Sequence, residues 1–227
     1  MYQTIRKQNE AACYETLQRD LNNVDIWAKK WLVNFNPKKT ESMLITRKDS
    51  ENVFKHDLYF QNQQIQNVTH HIHIGLTYSA DATWKLHLTN IQKRVAKRID
   101  ILRSLKWKLD RKSLEIIYYS FIRPLFEYAD IVWDSAPLHD YLYQSLEKLQ
   151  IDACRIVTGT TRYSSKNLLY CDTGWLPLTT RRTTHRLTLF YKIVNDICPR
   201  HLKSRLANYN NYRGPYNTRH RNNFATM

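Results

Sequence analysis

The sequence predicts an α+β protein that is mostly α, with a small β-containing portion at its start and helices through the rest. Three observations carry this. From Thr83 to Lys112 the apolar residues Trp84, Leu88, Ile91, Val95, Ile99, Leu102 and Leu105 recur at steps of three and four, the spacing of one buried helix face. Similar spacing returns in the later segments, whereas period-two alternation is confined to the first 80 residues, most clearly in HIHIGLTY from His71 to Tyr78. Hydrophobic residues are 42% and aromatics 12% of 227 residues, enough for a real core and too much for a disordered basic chain.

Taken in order, residues Ala11 to Asn34 read as a helix with Leu17, Leu21, Val24, Trp27, Ala28 and Trp31 along its apolar stripe. It stops at Asn34-Phe35-Asn36-Pro37, and the basic turn Pro37–Glu41 leads to a strand-like run, Ser42–Thr46. Asp57–Phe60 and Ile65–Val68 read as two short strands around the polar turn Gln61–Gln64. Gly75 stands inside the His71–Tyr78 strand, where a glycine marks a bulge or a close backbone approach. Asp81 or Thr83 supplies an N-cap for the central helix. Ser113–Phe126 forms the next helix, with Leu114, Ile117, Tyr118, Phe121 and Ile122 inward and Pro124 ending or kinking it. Phe126–Trp133 is aromatic and apolar, a core segment. Leu142–Thr158 is a helix with Leu146, Leu149, Ala153, Ile156 and Val157 inward, stopped by Gly159. Ser165–Tyr170 is a short helix, and Gly174–Leu178 a turn into Thr179–Asn195, whose Leu187, Phe190, Tyr191 and Val194 face the core. Residues from Asn208 on are polar, basic and punctuated by glycine and proline, a flexible tail.

The charge narrows the partners. Lys+Arg number 35 against 20 Asp+Glu, a net charge of +15, which points to a polyanion and to nucleic acid before a membrane surface. No apolar run is long enough to span a bilayer, and the opening MYQTIRKQNE is no signal peptide. Cys13, Cys154, Cys171 and Cys198 are scattered and form no C-x-x-C pair, which fits a reduced intracellular setting, nuclear or cytoplasmic. Four glycines exclude a glycine-rich phosphate loop. On the central helix Lys85, Lys93, Arg94, Lys97, Arg98, Arg103, Lys106 and Lys108 occupy the outer faces with Asp100 as the only acid among them. A solvated helix face is the plain alternative, but so lopsided a charge reads better as a surface lying along phosphates. His70, His71 and His73 have no carboxylate or cysteine at a ligand-like interval, so no metal site is expected there.

The order of several motifs resembles a known family. WAKKWLVNFNPKKTE (Trp27–Glu41), with Asn36, Lys39, Thr40 and Glu41 at the matching positions, is similar to the N-x-x-K-T-E stretch in the palm of non-LTR (LINE-type) retrotransposon reverse transcriptases. Ile74-Gly75-Leu76 resembles the L-G strand of their primer grip, with Ile74 where leucine is commoner. The basic helix corresponds to the opening of the thumb, and IYYSFIRPLFEYADIVW (Ile117–Trp133) is like the family's I-Y-x-x-x-I-x-P-x-x-x-Y-x-x-x-x-W. Gln150–Gly159 and GWLPLTTRR (Gly174–Arg182) also look typical.

The resemblance implies the C-terminal part of such an enzyme: a palm-rim and primer-grip portion over residues 1–80, thumb-like helices over 81–134, a helical extension over 135–207 and a basic tail over 208–227. It implies a template-primer RNA/DNA duplex as partner, met by Lys39, by the backbone at Ile74, Gly75 and Leu76, and by Lys93, Arg94, Lys97 and Arg98. The family's metal-binding aspartates and Y-x-D-D turn lie upstream of the region that Trp27 begins. Tyr128-Ala129-Asp130 has Ile131 where the second carboxylate would stand, and two-metal chemistry needs both, so it reads as a buried aromatic corner. The expectation is therefore a nucleic-acid-binding fragment with no catalytic set and no cofactor, Mg2+ belonging only to a complete polymerase. A component active only beside the missing fingers and palm, and a non-catalytic helical interaction protein, are the alternatives. Trp27, Trp31 and Leu44 are expected to be left uncovered without the rest of a palm.

Overall fold

The computed structural model describes residues 10–46, 57–134 and 141–204. The fold is α+β and mostly α. The chain divides into two compact units, Met1–Ile91 and Gln92–Met227, and the division falls inside the long central helix. The expected tail at 208–227 and the first residues of the expected extension, 135–140, lie outside the described residues.

The first unit opens with α1, Glu10–Lys30. Tyr14, with Leu17, Leu21 and Val24, packs on Leu58, Phe60 and Ile65. Gln18 fixes the register, its amide donating to the Tyr59 carbonyl and accepting from the Tyr59 N–H, both at 2.9 Å. The helix ends before Asn34. Leu32 turns left-handed at φ 55, Val33 N–H bonds back to the Ala28 carbonyl at 2.9 Å, and Leu32 N–H to Lys29 at 3.4 Å. The expected stripe holds only in part: Leu17, Leu21 and Val24 pack on the Leu58–Ile65 segment and Ala28 is buried, while Trp27 and Trp31 stay exposed. Leu44 is half-buried.

A short 3-10 turn, Pro37–Lys39, is capped by the Asn36 side chain, which accepts from Lys38 N–H at 3.1 Å. Then β1 (Glu41–Ser42) pairs in parallel with β4 (Gln66–Asn67), so only Ser42 of the expected Ser42–Thr46 run lies in a strand. Between them β2 (Tyr59–Phe60) and β3 (Gln63–Gln64) form a hairpin around Gln61 and Asn62, both at positive φ, a tighter turn than the four residues expected. Last, β5 (His70–His73) and β6 (Leu76–Ser79) pair with His73 opposite Leu76. Gly75 is thus no mid-strand bulge. With Ile74 at φ 47 and Gly75 at φ 74 it makes the two-residue turn whose backbone needs positive φ at both positions.

Helix α2, Lys85–Leu105, buries Leu88, Ile91, Val95, Ile99 and Leu102, the expected face. Asp81 accepts from the Thr83 N–H at 2.9 Å and from its hydroxyl at 2.8 Å, bracing the approach. The helix stops short of Lys112 because Asp110 caps a new one, accepting from Ser113 N–H at 3.3 Å. That helix runs as α3 (Arg111–Ile117), a π turn over Tyr118–Ile122, and α4 (Arg123–Glu127). Pro124 therefore does not end it. The π turn absorbs the missing N–H, with Arg123 N–H reaching five residues back to the Tyr118 carbonyl. The wider turn also re-phases the buried face to steps of four, Leu114, Tyr118, Ile122 and Phe126, and brings Phe121 to the surface, against expectation.

Ala129 at φ 51 breaks the chain into α5, Asp130–Trp133. Helix α6, Tyr141–Thr158, ends at Gly159 (φ 72) and buries Leu146, Ala153, Cys154, Ile156 and Val157. Helix α7, Lys166–Thr173, is capped by Ser165 and closed by Gly174 at φ 65. Helix α8, Leu178–Val194, departs from its sequence pattern: Leu187 and Tyr191 are exposed, and the buried residues are Leu178, Arg181 and Arg182. Three carboxylates facing it supply the reason. Glu127 pairs with Arg181 at 3.0 Å, Asp134 with Arg182 at 3.1 Å, and Asp130 with His185 at 2.6 Å.

Candidate nucleic-acid interface

On the outer side of α2, in the second unit, Lys93, Arg94 and Lys97 are exposed, and none makes an ion pair among the described residues. Their places follow from the helix period: with Val95, Ile99 and Leu102 turned inward, these positions point out. Lys93 and Lys97 are one turn apart, roughly 6 Å along the axis, so both can meet one strand of a phosphate backbone. Arg103, further along, is held by Asp100 at 2.6 Å.

Arg98 is placed differently. Its guanidinium lies 4.0 Å from the Phe121 ring centroid and donates to the Phe121 carbonyl, so it ties α2 to the π turn. Burial, and then the neighbouring Arg94 charge, lower its pKa. Arg98 is half-buried and offers an edge rather than a free head group.

Lys39 and the hairpin belong to the first unit. Lys39 is exposed, and two residues on Glu41 pairs with His71 of β5 at 2.7 Å, fastening the N-P-K-K-T-E segment to the hairpin. A carboxylate from 30 residues away thus does join the histidines, as a hydrogen-bond partner of His71. No group of three or more His, Cys, Asp or Glu suited to a metal occurs among the described residues. At the hairpin tip Ile74 is 74% exposed while Leu76 is 7% exposed, so Leu76 can offer only backbone. The β6 strand is held by Thr77, whose N–H donates to His87 Nδ1 at 3.2 Å and whose hydroxyl accepts from Asn90 at 3.4 Å.

Tyr128-Ala129-Asp130 lies at a helix break, not in a hairpin, and Tyr128 is exposed rather than a buried corner. Asp134 is one helical turn from Asp130, which could suggest a carboxylate pair. Both are already engaged by α8, Asp130 by His185 and Asp134 by Arg182 at 3.1 Å and Arg186 at 3.6 Å. Burial raises the Asp130 pKa, against the bond and charge of His185. These groups do not fit a two-metal centre, since each carboxylate is already paired with a side chain of α8.

A polar interior that the apolar periodicity does not mark lies beneath these pairs. Gln150, fully buried, accepts from the Tyr118 hydroxyl at 2.8 Å and from Arg181, and donates to the Leu176 carbonyl at 3.0 Å and the Tyr170 hydroxyl at 3.2 Å. Trp175 stacks on Tyr118 with centroids 3.6 Å apart. The available signal was E-x-x-D-x-x-x-D from Glu127 to Asp134 set against R-R-x-x-H from Arg181 to His185.

Among known proteins, the chain is 26% identical over 170 residues to a probable RNA-directed DNA polymerase from transposon BS of Drosophila melanogaster. The match covers 72% of this chain and 18% of that protein, so the chain spans less than a fifth of its relative's length. No protein-family model matches the chain, and no solved structure does. The chain is related to a transposon reverse transcriptase.

Proposed function

We propose that this chain is the thumb-bearing C-terminal part of a retrotransposon RNA-directed DNA polymerase and grips the template-primer duplex without reading its sequence. The observation that carries this is the unopposed cationic face of α2, Lys93, Arg94 and Lys97, on a chain of net charge +15. Phosphate contacts of this kind position a duplex and bind by releasing counterions. Lys39 and the backbone at Ile74, Gly75 and Leu76 add a contact with the primer strand. We assign the chain no chemical step of its own, since Asp130 is spent on His185.

The test is charge reversal at Lys93, Arg94 and Lys97 together, read by fluorescence anisotropy on a labelled RNA/DNA hybrid. Losing three phosphate contacts should flatten the log–log salt dependence by about 2–3 units. Circular dichroism should stay unchanged, because the three side chains are exposed. An unaltered affinity and salt slope would remove α2 as the binding surface.

A further inference from the structure

The turn after α2 holds a tryptophan in an unusual position. Trp107 is 87% exposed, the most exposed tryptophan among the described residues. Its backbone is nevertheless fixed: Lys106 N–H bonds to the Arg103 carbonyl at 3.3 Å, and Lys108 and Leu109 N–H both bond to the Leu105 carbonyl, at 2.9 and 3.1 Å. On its far side Asp110 is committed to the cap of α3. A large indole presented to water on a held turn forgoes burial that would stabilise it, which calls for a partner with a flat apolar face.

Charge says which kind. Lys106 Nζ lies 5.1 Å from the Trp107 ring centroid, and exposed Lys108 follows Trp107 in the chain, so the turn carries a lysine on either side of the indole in sequence. A nucleobase offers a π face together with a phosphate on each side, and no other common ligand matches both features so directly. The turn also continues the helix that carries Lys93, Arg94 and Lys97, with Leu105 about 12 Å beyond Lys97 along the axis, three to four base-pair rises.

We propose that Trp107 stacks on an unpaired base where a single strand leaves the duplex, with Lys106 and Lys108 on the flanking phosphates. This rests on the duplex-binding reading above and adds to it a preference for a junction over a blunt end. Stacking of one base on an exposed aromatic should make a hybrid with a single-stranded overhang bind about tenfold tighter than the same hybrid blunt-ended.

The experiment compares the 227-residue chain with Trp107→Ala and Trp107→Phe on three probes: the blunt hybrid, the overhang hybrid and anionic phospholipid vesicles. The expected result is that Trp107→Ala removes the overhang preference and leaves blunt-hybrid affinity and its salt slope alone, while Trp107→Phe restores most of the preference. Equal affinity for blunt and overhang hybrids, or a preference untouched by Trp107→Ala, would overturn the junction site and leave the duplex reading standing. Vesicle binding that depends on Trp107, without an overhang effect, would overturn it in favour of a membrane contact. Binding to none of the probes by folded protein would overturn both.

Discussion

Replacing Gln150 with leucine tests the polar interior of the helical unit. The new side chain keeps much of the volume but makes no hydrogen bond. The Leu176 carbonyl loses its 3.0 Å donor, and the Tyr118 hydroxyl loses its 2.8 Å acceptor. Tyr170 keeps Glu147 and Arg181 keeps Glu127, so they are not orphaned. The Tyr118 hydroxyl still accepts from Arg181 at 3.4 Å and Leu176 is half-exposed, so the two lost bonds together cost about 1–3 kcal/mol. Tyr118→Phe, which deletes the hydroxyl and leaves the ring on Trp175, should cost about 1 kcal/mol. The double variant should fall short of the sum by about 1 kcal/mol, because one orphan has been removed. Urea unfolding followed by tryptophan fluorescence suits this unit, since Trp133 and Trp175 are buried in it. A Gln150→Leu stability within about 0.5 kcal/mol of the parent would refute the view that this residue ties the helices together.

Three further outcomes follow from turn geometry and burial. Ile74 holds a left-handed conformation at φ 47 in a turn that favours asparagine followed by glycine, so Ile74→Asn should stabilise the first unit by about 1 kcal/mol in thermal unfolding. No gain there would mean that the isoleucine side chain is held by more than the turn. Burial pushes the Cys154 thiol up from 9.0 to about 12, and burial likewise raises the Tyr118 hydroxyl. Groups whose folded pKa is raised stabilise fully below their unfolded value and lose that contribution as pH rises toward the folded one. The helical unit should therefore weaken steadily from about pH 9 upward, and at pH 8 Cys154 should resist alkylation while exposed Cys171 reacts. Rapid labelling of Cys154 in native protein would contradict its burial.

The contrast between α2 and α8 shows what a sequence can reveal. In α2 the apolar residues fall at helical spacing and bury one face, because no buried ion pair competes with hydrophobic burial for its orientation among the described residues. In α8 the same spacing pointed Leu187 and Tyr191 inward, yet the helix turns Arg181, Arg182 and His185 toward Glu127, Asp134 and Asp130. A buried carboxylate left without its cation costs more than an exposed leucine, so charge overrides apolar periodicity. No periodicity marks in advance which carboxylates will be buried. Pro124 distorts the helix without ending it, because a π turn can absorb the lost N–H, and proline chemistry alone does not announce one. Gly75 stands out in the sequence as a mid-strand residue yet sits in the turn, since alternation continues across a two-residue turn as it would through a strand. At the candidate interface the cations of α2 were legible as a group, but the capture of Arg98 by Phe121 depends on a ring from a later helix. In the sequence Trp107 is one more residue of a basic helix, and only the structure places its indole at the surface.

The most direct test is a salt titration of the unmodified chain with RNA/DNA hybrids of several unrelated sequences. Thumb-type binding predicts similar affinities for all of them and a steep linear fall of log affinity with log salt. Affinity that ignores salt, or folded protein that binds no hybrid even at low salt, would contradict the assignment of the α2 face to nucleic acid.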